Sequence, residues 1–160
     1  MAAVALLGLV GCANVSPASP PAQSTTVLYQ ADYPFYESAA ALAARTDVIV
    51  TGTVTASRAE MIDIVAHDVP SDDPMLNPAG TPAPPSFMAY TLHDVRVAAV
   101  GRGDVAVGET ITVGEPGGVV DGVPYLTSEG IQLVDGRTYT LFLARFGDHG
   151  YQLVNPAQGV

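Results

Sequence analysis

The sequence predicts an all-β fold, a small OB-like antiparallel barrel with a short N-terminal helix, and a β-sandwich is the alternative. Three observations support this prediction. Several short segments rich in β-branched residues alternate apolar and polar side chains, Gly- and Pro-rich turns separate them, and one clear stretch has helical periodicity. The chain has 160 residues, which suits one domain with a single core.

The helical stretch lies at residues 33–46 and reads YPFYESAAALAART. Alanine is the best helix former, and Pro34 suits the start of a helix. Phe35, Ala39 and Leu42 share one face at a spacing of about 3.6 residues. We therefore expect a short amphipathic helix here.

The strands are expected after this helix. Residues 47–56, DVIVTGTVTA, alternate like a half-buried strand, and Gly52 within them suggests a bend or close packing. A weaker segment at residues 59–66 is the expected partner of this strand. Further strands are predicted at residues 87–100, 109–114, 131–134, 138–146 and 151–154, with turns at 115–118, 121–122, 135–136 and 147–150.

The N-terminus has the most specific pattern in the sequence. Residues 1–11, MAAVALLGLVG, form an uncharged apolar run that is too short to span a bilayer and fits the apolar region of a secretory signal. The only cysteine, Cys12, follows at once, and a tract rich in Pro, Ser and Ala comes next. The tetrapeptide Leu9-Val10-Gly11-Cys12 resembles the lipobox of bacterial lipoproteins.

This resemblance implies that Cys12 is lipidated and that the peptide is cut before it. Residues 1–11 would then be a signal peptide, residues 12–32 the lipidated Cys and a flexible tether, and residues 33–160 a single β-barrel domain. Two or three acyl chains give stable anchoring, so the protein is expected outside the cytoplasm, held at the cell membrane by its lipid. Residues 1–11 lack the usual positive segment, and we expect the true start to lie upstream of Met1. The alternative is a buried apolar segment with a free cysteine.

The order of segments in the barrel domain is similar to that of the netrin-like domain and the tissue inhibitors of metalloproteinases. The similarity rests on the helix and on four segments: TDVIVTGTV at 46–54, YTLHDVRV at 90–97, TITV at 110–113 and GRTYTLFL at 136–143. It implies an OB-fold barrel. In those inhibitors the N-terminal cysteine chelates the target's zinc and disulfides pin the barrel. A lipidated Cys12 is removed from metal chemistry and has no cysteine partner, so we carry over the fold and not the inhibitory mechanism.

Charge and composition argue against several functions. The chain has 16 acidic and 6 basic residues, for a net charge of −10, which disfavours nucleic-acid binding because that affinity comes largely from Lys and Arg. A single cysteine excludes an internal disulfide framework and a thiolate-rich zinc site. The sequence contains neither a G-x-S-x-G motif nor a phosphate-binding loop. We therefore predict no catalytic activity and no cofactor.

The most notable polar cluster lies around the Pro-rich loop at residues 70–85. Oxygen ligands suit Ca²⁺, and the weak candidates for a metal site are Asp63, His67, Asp68, Asp72 and Asp73. Their spacing lacks the regularity of a dedicated calcium loop, so the sequence favours a solvated acidic loop over a metal site. Long loops without secondary structure tend to be functional or disordered, and we expect this loop to contact a protein of the cell envelope.

A second polar pair, His93 and Asp94, lies inside a predicted strand. The apolar side chains change parity at this point, which is what a β-bulge would produce. The sequence therefore favours a bulge over a catalytic dyad at His93 and Asp94.

Together these patterns predict a lipid-anchored, extracytoplasmic binding or structural module of the bacterial cell envelope. Two alternatives stay open. One is a protease-inhibitor-like domain, and the other is a metal-dependent or hydrolytic enzyme whose site the sequence hides.

Overall fold

A computed structural model describes residues 25–65, 84–128 and 132–160 of the chain, and the structural statements below concern these residues. The fold is all-β, as predicted. Its elements in chain order are β1 Val27–Tyr29, α1 Ala39–Ala43, β2 Val48–Asp63, β3 Phe87–Arg102, β4 Thr110–Pro116, β5 Gly118–Val120, β6 Val123–Thr127, β7 Thr138–Arg145, a 3-10 helix Gly147–His149, and β8 Tyr151–Leu153.

Five strands close into a barrel in the order β2-β3-β4-β8-β7, which confirms the predicted small barrel. Neighbouring strands are antiparallel except β4 and β8, which pair in parallel at Val113↔Tyr151 and Gly114↔Gln152. An odd number of strands cannot alternate in direction all the way around a closed barrel. One parallel pair is therefore unavoidable, and the expectation of a purely antiparallel barrel is wrong in this detail.

The long ribbon of β2 and β3 is the largest departure from the predicted strands. Strand β2 is continuous over 16 residues, so the separate partner strand expected at 59–66 is wrong. Its partner is β3, paired from Ile49↔Arg102 to Asp63↔Phe87. Strand β7 pairs with β2 only over residues 48–53, so the rest of the ribbon extends past β7. Register shifts interrupt the pairing at three places along the ribbon, as β-bulges do.

Aliphatic side chains fill the barrel interior. The buried core consists of Val48, Val50, Val54, Val95, Val97, Ile111, Val113, Leu133, Leu141, Leu143 and Leu153. Gly52 on β2 packs closely against β3: a Cβ at this position would lie 2.6 Å from Val95 Cγ1 and 2.9 Å from the carbonyl oxygen of Arg96. The close packing expected at Gly52 is therefore confirmed.

A second apolar cluster lies on the other face of β3. It contains Ile62, Tyr90 and Leu92, with Met88 and Phe146 packed against it. Residues of both parities in β3 are thus buried, one set in the barrel and the other in this cluster. Apolar residues occupy both odd and even positions around His93 because both faces of β3 are covered. The register shift beside His93 leaves Thr55 on β2 without a partner on β3, so the extra residue belongs to β2 and not to β3.

The N-terminal helix is shorter than the predicted range of residues 33–46. Helix α1 has five residues and begins after Ser38, whose side-chain oxygen accepts a hydrogen bond from the backbone N–H of Ala41 at 3.1 Å. Only Leu42 of this helix is buried, and Phe35, expected on its apolar face, is 78% exposed. Within the described ranges, no helix is long and apolar enough to cross a membrane.

A separate three-stranded sheet has the order β1-β6-β5. Its β5–β6 hairpin turns at Asp121 and Gly122, with φ angles of 51° and 78°, as the sequence predicts. Strand β1 pairs in parallel with β6 and lies inside residues 12–32, the range expected to be the tether. Residues 132–134 do not form the strand expected at 131–134, and residue 131 lies outside the described part of the chain.

Candidate functional site

A cleft of about 600 Å³ opens where the barrel meets the three-stranded sheet. Its walls come from β2, β3 and β4 of the barrel, from β5 and β6, and from residues 132–135 between β6 and β7. Tyr33 and Pro156, from the two ends of the described domain, also line it.

Strand register brings polar side chains to this cleft. Ser57 on β2 lies opposite His93 on β3, and His93 lies opposite Val113 on β4. Directly opposed residues share one face of a sheet, and Val113 is fully buried in the barrel core. Ser57 and His93 therefore continue the face that lines the barrel interior. Glu115 lies two residues beyond Val113 on β4, so it also lies on this face.

Four side chains, together named the polar chain, form a continuous hydrogen-bonded path: Asp135, Ser57, His93 and Glu115. The Oγ atom of Ser57 lies 2.5 Å from Asp135 Oδ1 and 2.7 Å from His93 Nδ1. The other ring nitrogen, Nε2, lies 3.0 Å from Glu115 Oε2. The same oxygen of Glu115 accepts the backbone N–H of Leu133 at 2.9 Å.

The protons of the polar chain can be counted. The Ser57 hydroxyl has one proton and donates it to Asp135, so the Ser57 oxygen accepts a hydrogen bond from His93 Nδ1. On the other side of the ring, His93 Nε2 donates to Glu115. The path therefore runs without a break from the carboxylate of Asp135 through Ser57 and the His93 ring to the carboxylate of Glu115.

The middle of the polar chain is buried and its end is open. His93 is 2% exposed and Glu115 is 8% exposed, whereas Ser57 and Asp135 are exposed. Both hydrogen bonds to Glu115 reach Oε2, and no donor from the described residues reaches Oε1. No fully buried side-chain oxygen or nitrogen in this part of the chain lacks a partner. Oε1 of Glu115 is therefore open to the cavity space that this residue lines.

Arginine does not contribute to the cleft. The chain has 6 basic residues, all arginine and all within the described ranges, and none of them lines the cleft. Arg58 follows Ser57 on β2, but alternation directs it to the other face, where it pairs with Asp94 at 3.3 Å. Two aromatic residues, Tyr33 and Tyr125, also line the cleft.

The candidate metal ligands predicted from the sequence do not meet in the described part of the chain. Asp63 ends β2, and its Oδ1 accepts the backbone N–H groups of Val65 at 3.1 Å and Ser86 at 3.0 Å. It thereby helps to hold the two ends of the β2–β3 connection together. The other four candidate ligands lie outside the described residues: His67, Asp68, Asp72 and Asp73. Cys12 and most of the loop at 70–85 lie outside them as well. Within the described ranges, no group of three or more ligating side chains could hold a metal.

Most of the polar chain was not predicted from the sequence. Glu115 was expected in a turn at 115–118, which is wrong because β4 continues to Pro116. His93 was grouped with its neighbour Asp94, whereas its partners are Ser57 and Glu115. One signal was available: a histidine among apolar residues of a buried strand requires polar partners from other strands.

Comparisons with known proteins add no relative: no protein-family model, no curated protein and no solved structure matches this chain.

Proposed function

We propose that this chain is a lipid-anchored, extracytoplasmic binding module of the bacterial cell envelope that takes a small polar ligand in the cleft. The observation that supports binding is the cleft itself, in which aromatic side chains and the polar chain converge on one space of about 600 Å³. Ligand sites typically have volumes of about 300–1,000 Å³ and combine apolar walls with a few placed polar groups.

The placement of charge in the cleft favours a functional role over a structural one. A buried pair of ionisable groups such as His93 and Glu115 contributes little net stability, because the cost of desolvation offsets the attraction between them. Elsewhere the same barrel interior is filled with Val, Leu and Ile. A barrel that needed only a stable core could continue that packing to its end. The polar chain is explained if it serves a ligand.

The proposed location rests on the lipobox resemblance of residues 9–12. Acyl chains on Cys12 would anchor the protein without help from charge, since a net charge of −10 repels anionic headgroups. Residues 13–26 separate Cys12 from β1, the first described strand. The folded domain would therefore lie close to the membrane with its cleft accessible to small molecules.

The binding proposal can be tested by thermal shift on the full chain carrying Cys12→Ala. A library of small neutral, cationic and anionic compounds is screened, and compounds that raise the melting temperature are retested on two matched variants. Thr127→Trp fills the cleft, and Thr140→Trp places the same ring on the exposed surface of β7. We expect stabilisation to disappear in Thr127→Trp and to persist in Thr140→Trp. The absence of any stabilising compound, or equal stabilisation of both variants, would contradict the proposal.

The anchor can be tested by intact mass. Wild-type protein extracted from bacterial membranes should be heavier than its mature polypeptide by a diacylglyceryl group and an amide-linked acyl chain, whereas Cys12→Ala should carry neither. A wild-type protein that has no lipid mass and is recovered in the cytoplasm would overturn the proposed location.

Hydrolysis is a second candidate function, favoured by the order Ser57–His93–Glu115. An exposed hydroxyl lies 2.7 Å from a buried imidazole, whose other nitrogen is held by a buried carboxylate. This is the order of nucleophile, base and orienting acid in serine hydrolases. It ranks second because the Ser57 proton is directed to Asp135.

The hydrolytic reaction would proceed in two balanced steps. Ser57 Oγ would attack the carbonyl carbon of an ester while His93 Nδ1 takes the hydroxyl proton and passes it to the departing alcohol. Water would then release the acid and restore the hydroxyl. Labelling of wild type by a fluorophosphonate probe, lost in Ser57→Ala, would support this candidate, and wild type without label at Ser57 would exclude it.

A further inference from the structure

We infer that the ligand of the cleft carries a positively charged nitrogen, an ammonium or guanidinium group, bound by the carboxylates of Glu115 and Asp135 and by the aromatic rings of Tyr33 and Tyr125. This inference rests on the proposed binding function and specifies its ligand class.

The charge balance of the cleft is the first reason. Among the described residues that line the cleft are two carboxylates, Glu115 and Asp135, and one imidazole, His93, so this lining has a net negative charge in either state of the ring. None of the arginines lines the cleft, and the whole chain has a net charge of −10. The local and overall fields therefore both attract a cation and oppose an anion, and partial burial strengthens the local interaction.

The open oxygen of Glu115 is the second and independent reason. Glu115 is 8% exposed and both of its hydrogen bonds reach Oε2, so Oε1 is an acceptor without a donor among the described residues. A ligand that displaces water from this oxygen must replace the lost hydrogen bond. An ammonium or guanidinium supplies both an N–H donor and the compensating charge. A neutral hydroxyl supplies only the donor, and a carboxylate or phosphate supplies neither.

The aromatic side chains of the cleft suit the same ligand. Cations are attracted to the faces of aromatic rings. Tyr125 stacks on Tyr29, with ring centroids 5.7 Å apart, so its ring is held in place by β1. Tyr33 lines both this cleft and a neighbouring cavity of about 140 Å³ that Glu115 also lines. Aromatic rings and an open carboxylate oxygen therefore border the same space.

The test is a titration of the full Cys12→Ala chain at pH 7 with three probes of similar size: benzylammonium, benzyl alcohol and benzoate. Binding is followed by NMR chemical shifts of the backbone amides of Thr127, Leu133 and Asp135. We expect benzylammonium to bind about tenfold or more tightly than benzyl alcohol, and benzoate not to bind. Two guanidinium probes distinguish a free small molecule, n-butylguanidinium, from the arginine side chain of a peptide, acetyl-Ala-Arg-Ala-amide. Binding of either probe supports the inference, and the tighter binder indicates whether the ligand is a small molecule or a peptide.

Two variants that each remove one negative charge provide the control. Asp135→Asn keeps the shape and an oxygen to accept the Ser57 hydroxyl, and it should weaken benzylammonium binding about tenfold. Asp148→Asn, in the exposed 3-10 helix away from the cleft, should leave it unchanged. Equal weakening by both variants would show only general attraction by net charge and would overturn the inference.

The outcomes separate this inference from the proposed function. If benzyl alcohol or benzoate shifts the cleft amides as strongly as benzylammonium does, the cleft binds ligands but the cationic class is wrong. If no probe shifts these amides and the compound screen also finds no ligand, both the inference and the binding function fail.

Discussion

The aliphatic part of the barrel interior and its polar end differ although the same strands build both. On β2 the interior face carries Val50 and Val54 and then Ser57; on β4 it carries Val113 and then Glu115. The side chains of the aliphatic part are buried, whereas the polar end borders a cleft. Strand pairing decides which side chains face inward, and position along the barrel decides whether they contact apolar side chains or the cleft.

The largest effect is expected in the aliphatic part. Leu141 is fully buried, and Leu141→Ala removes contacts that the barrel cannot replace. We expect a loss of about 2–5 kcal/mol in the free energy of unfolding, measured by urea denaturation followed by circular dichroism. Thr140→Ala, at the exposed neighbouring position, is the control. A loss no larger than in the control would show that the interior is not close-packed at this point.

A smaller loss is expected at the polar end. Glu115→Gln keeps the side-chain shape but removes the charge that faces His93 and the N–H of Leu133, at a cost of about 1–3 kcal/mol. Glu60→Gln, on the exposed face of β2, should change stability by about 0.5 kcal/mol or less. If Glu115→Gln is as neutral as this control, the polar chain does not contribute to the fold as its geometry indicates.

Replacing the buried His93–Glu115 pair with apolar side chains tests whether the polar end is needed for stability. Glu115→Leu alone leaves His93 buried without its carboxylate, so it should destabilise strongly. Adding His93→Leu removes the histidine that has lost its carboxylate partner, so the double variant should recover part of the lost free energy of unfolding. Recovery would show that the pair is not needed for stability. Strictly additive losses in the double variant would show that the two residues do not act together.

Ionisation of Tyr90, in the cluster outside the barrel, should lower the free energy of unfolding only at alkaline pH. Burial, with a further contribution from the nearby hydroxyls of Tyr33 and Tyr29, raises its pKa from 10.0 to about 12. Because the folded state holds this proton more tightly than the unfolded state does, the stabilisation is fully present below pH 10 and is lost as pH rises through about 12. The chain has no lysine but has six tyrosines besides Tyr90, so a variant that lacks only the Tyr90 hydroxyl is needed to isolate its effect.

The Tyr90 prediction is measured as the urea midpoint between pH 9 and pH 12, with Tyr90→Phe as the control. Phe keeps the ring contact with Phe146, whose centroid lies 4.8 Å from that of Tyr90, and removes the titrating group. The wild-type midpoint should fall more steeply than that of the variant. Identical slopes would contradict the raised pKa.

The smallest effect is expected on the barrel surface. Thr51 and Thr140 share an exposed hydrogen bond between their hydroxyls at 3.0 Å, as do Thr53 and Thr138 at 2.8 Å. Thr51→Val should change the unfolding free energy by about 0.5 kcal/mol or less, because water competes for these hydroxyls and valine keeps the β-branched shape. A loss above about 1 kcal/mol would show that the surface pairs matter as much as the polar end.

Features that depend on residues close together in the sequence were predictable from it. The predicted strand at 138–146 matches β7 closely, and the turn at 121–122 and the close packing at Gly52 are confirmed. The helix was overestimated because the prediction started it near Pro34, whereas Ser38 caps it and only the Ala-rich residues 39–43 are helical. The break expected in β2 does not occur, because pairing with β3 along its length overrides the weak strand propensity around Arg58 and Ala59.

The sequence by itself determined the all-β class and the acidic character of the chain, since alternation and composition are local properties. Only the tertiary structure decided that Ser57, His93, Glu115 and Asp135 meet in one hydrogen-bonded chain beside a cleft. These residues come from three strands and a connecting segment that are distant in the sequence. Their meeting depends on strand register and barrel closure, which arise from long-range pairing that no local pattern encodes.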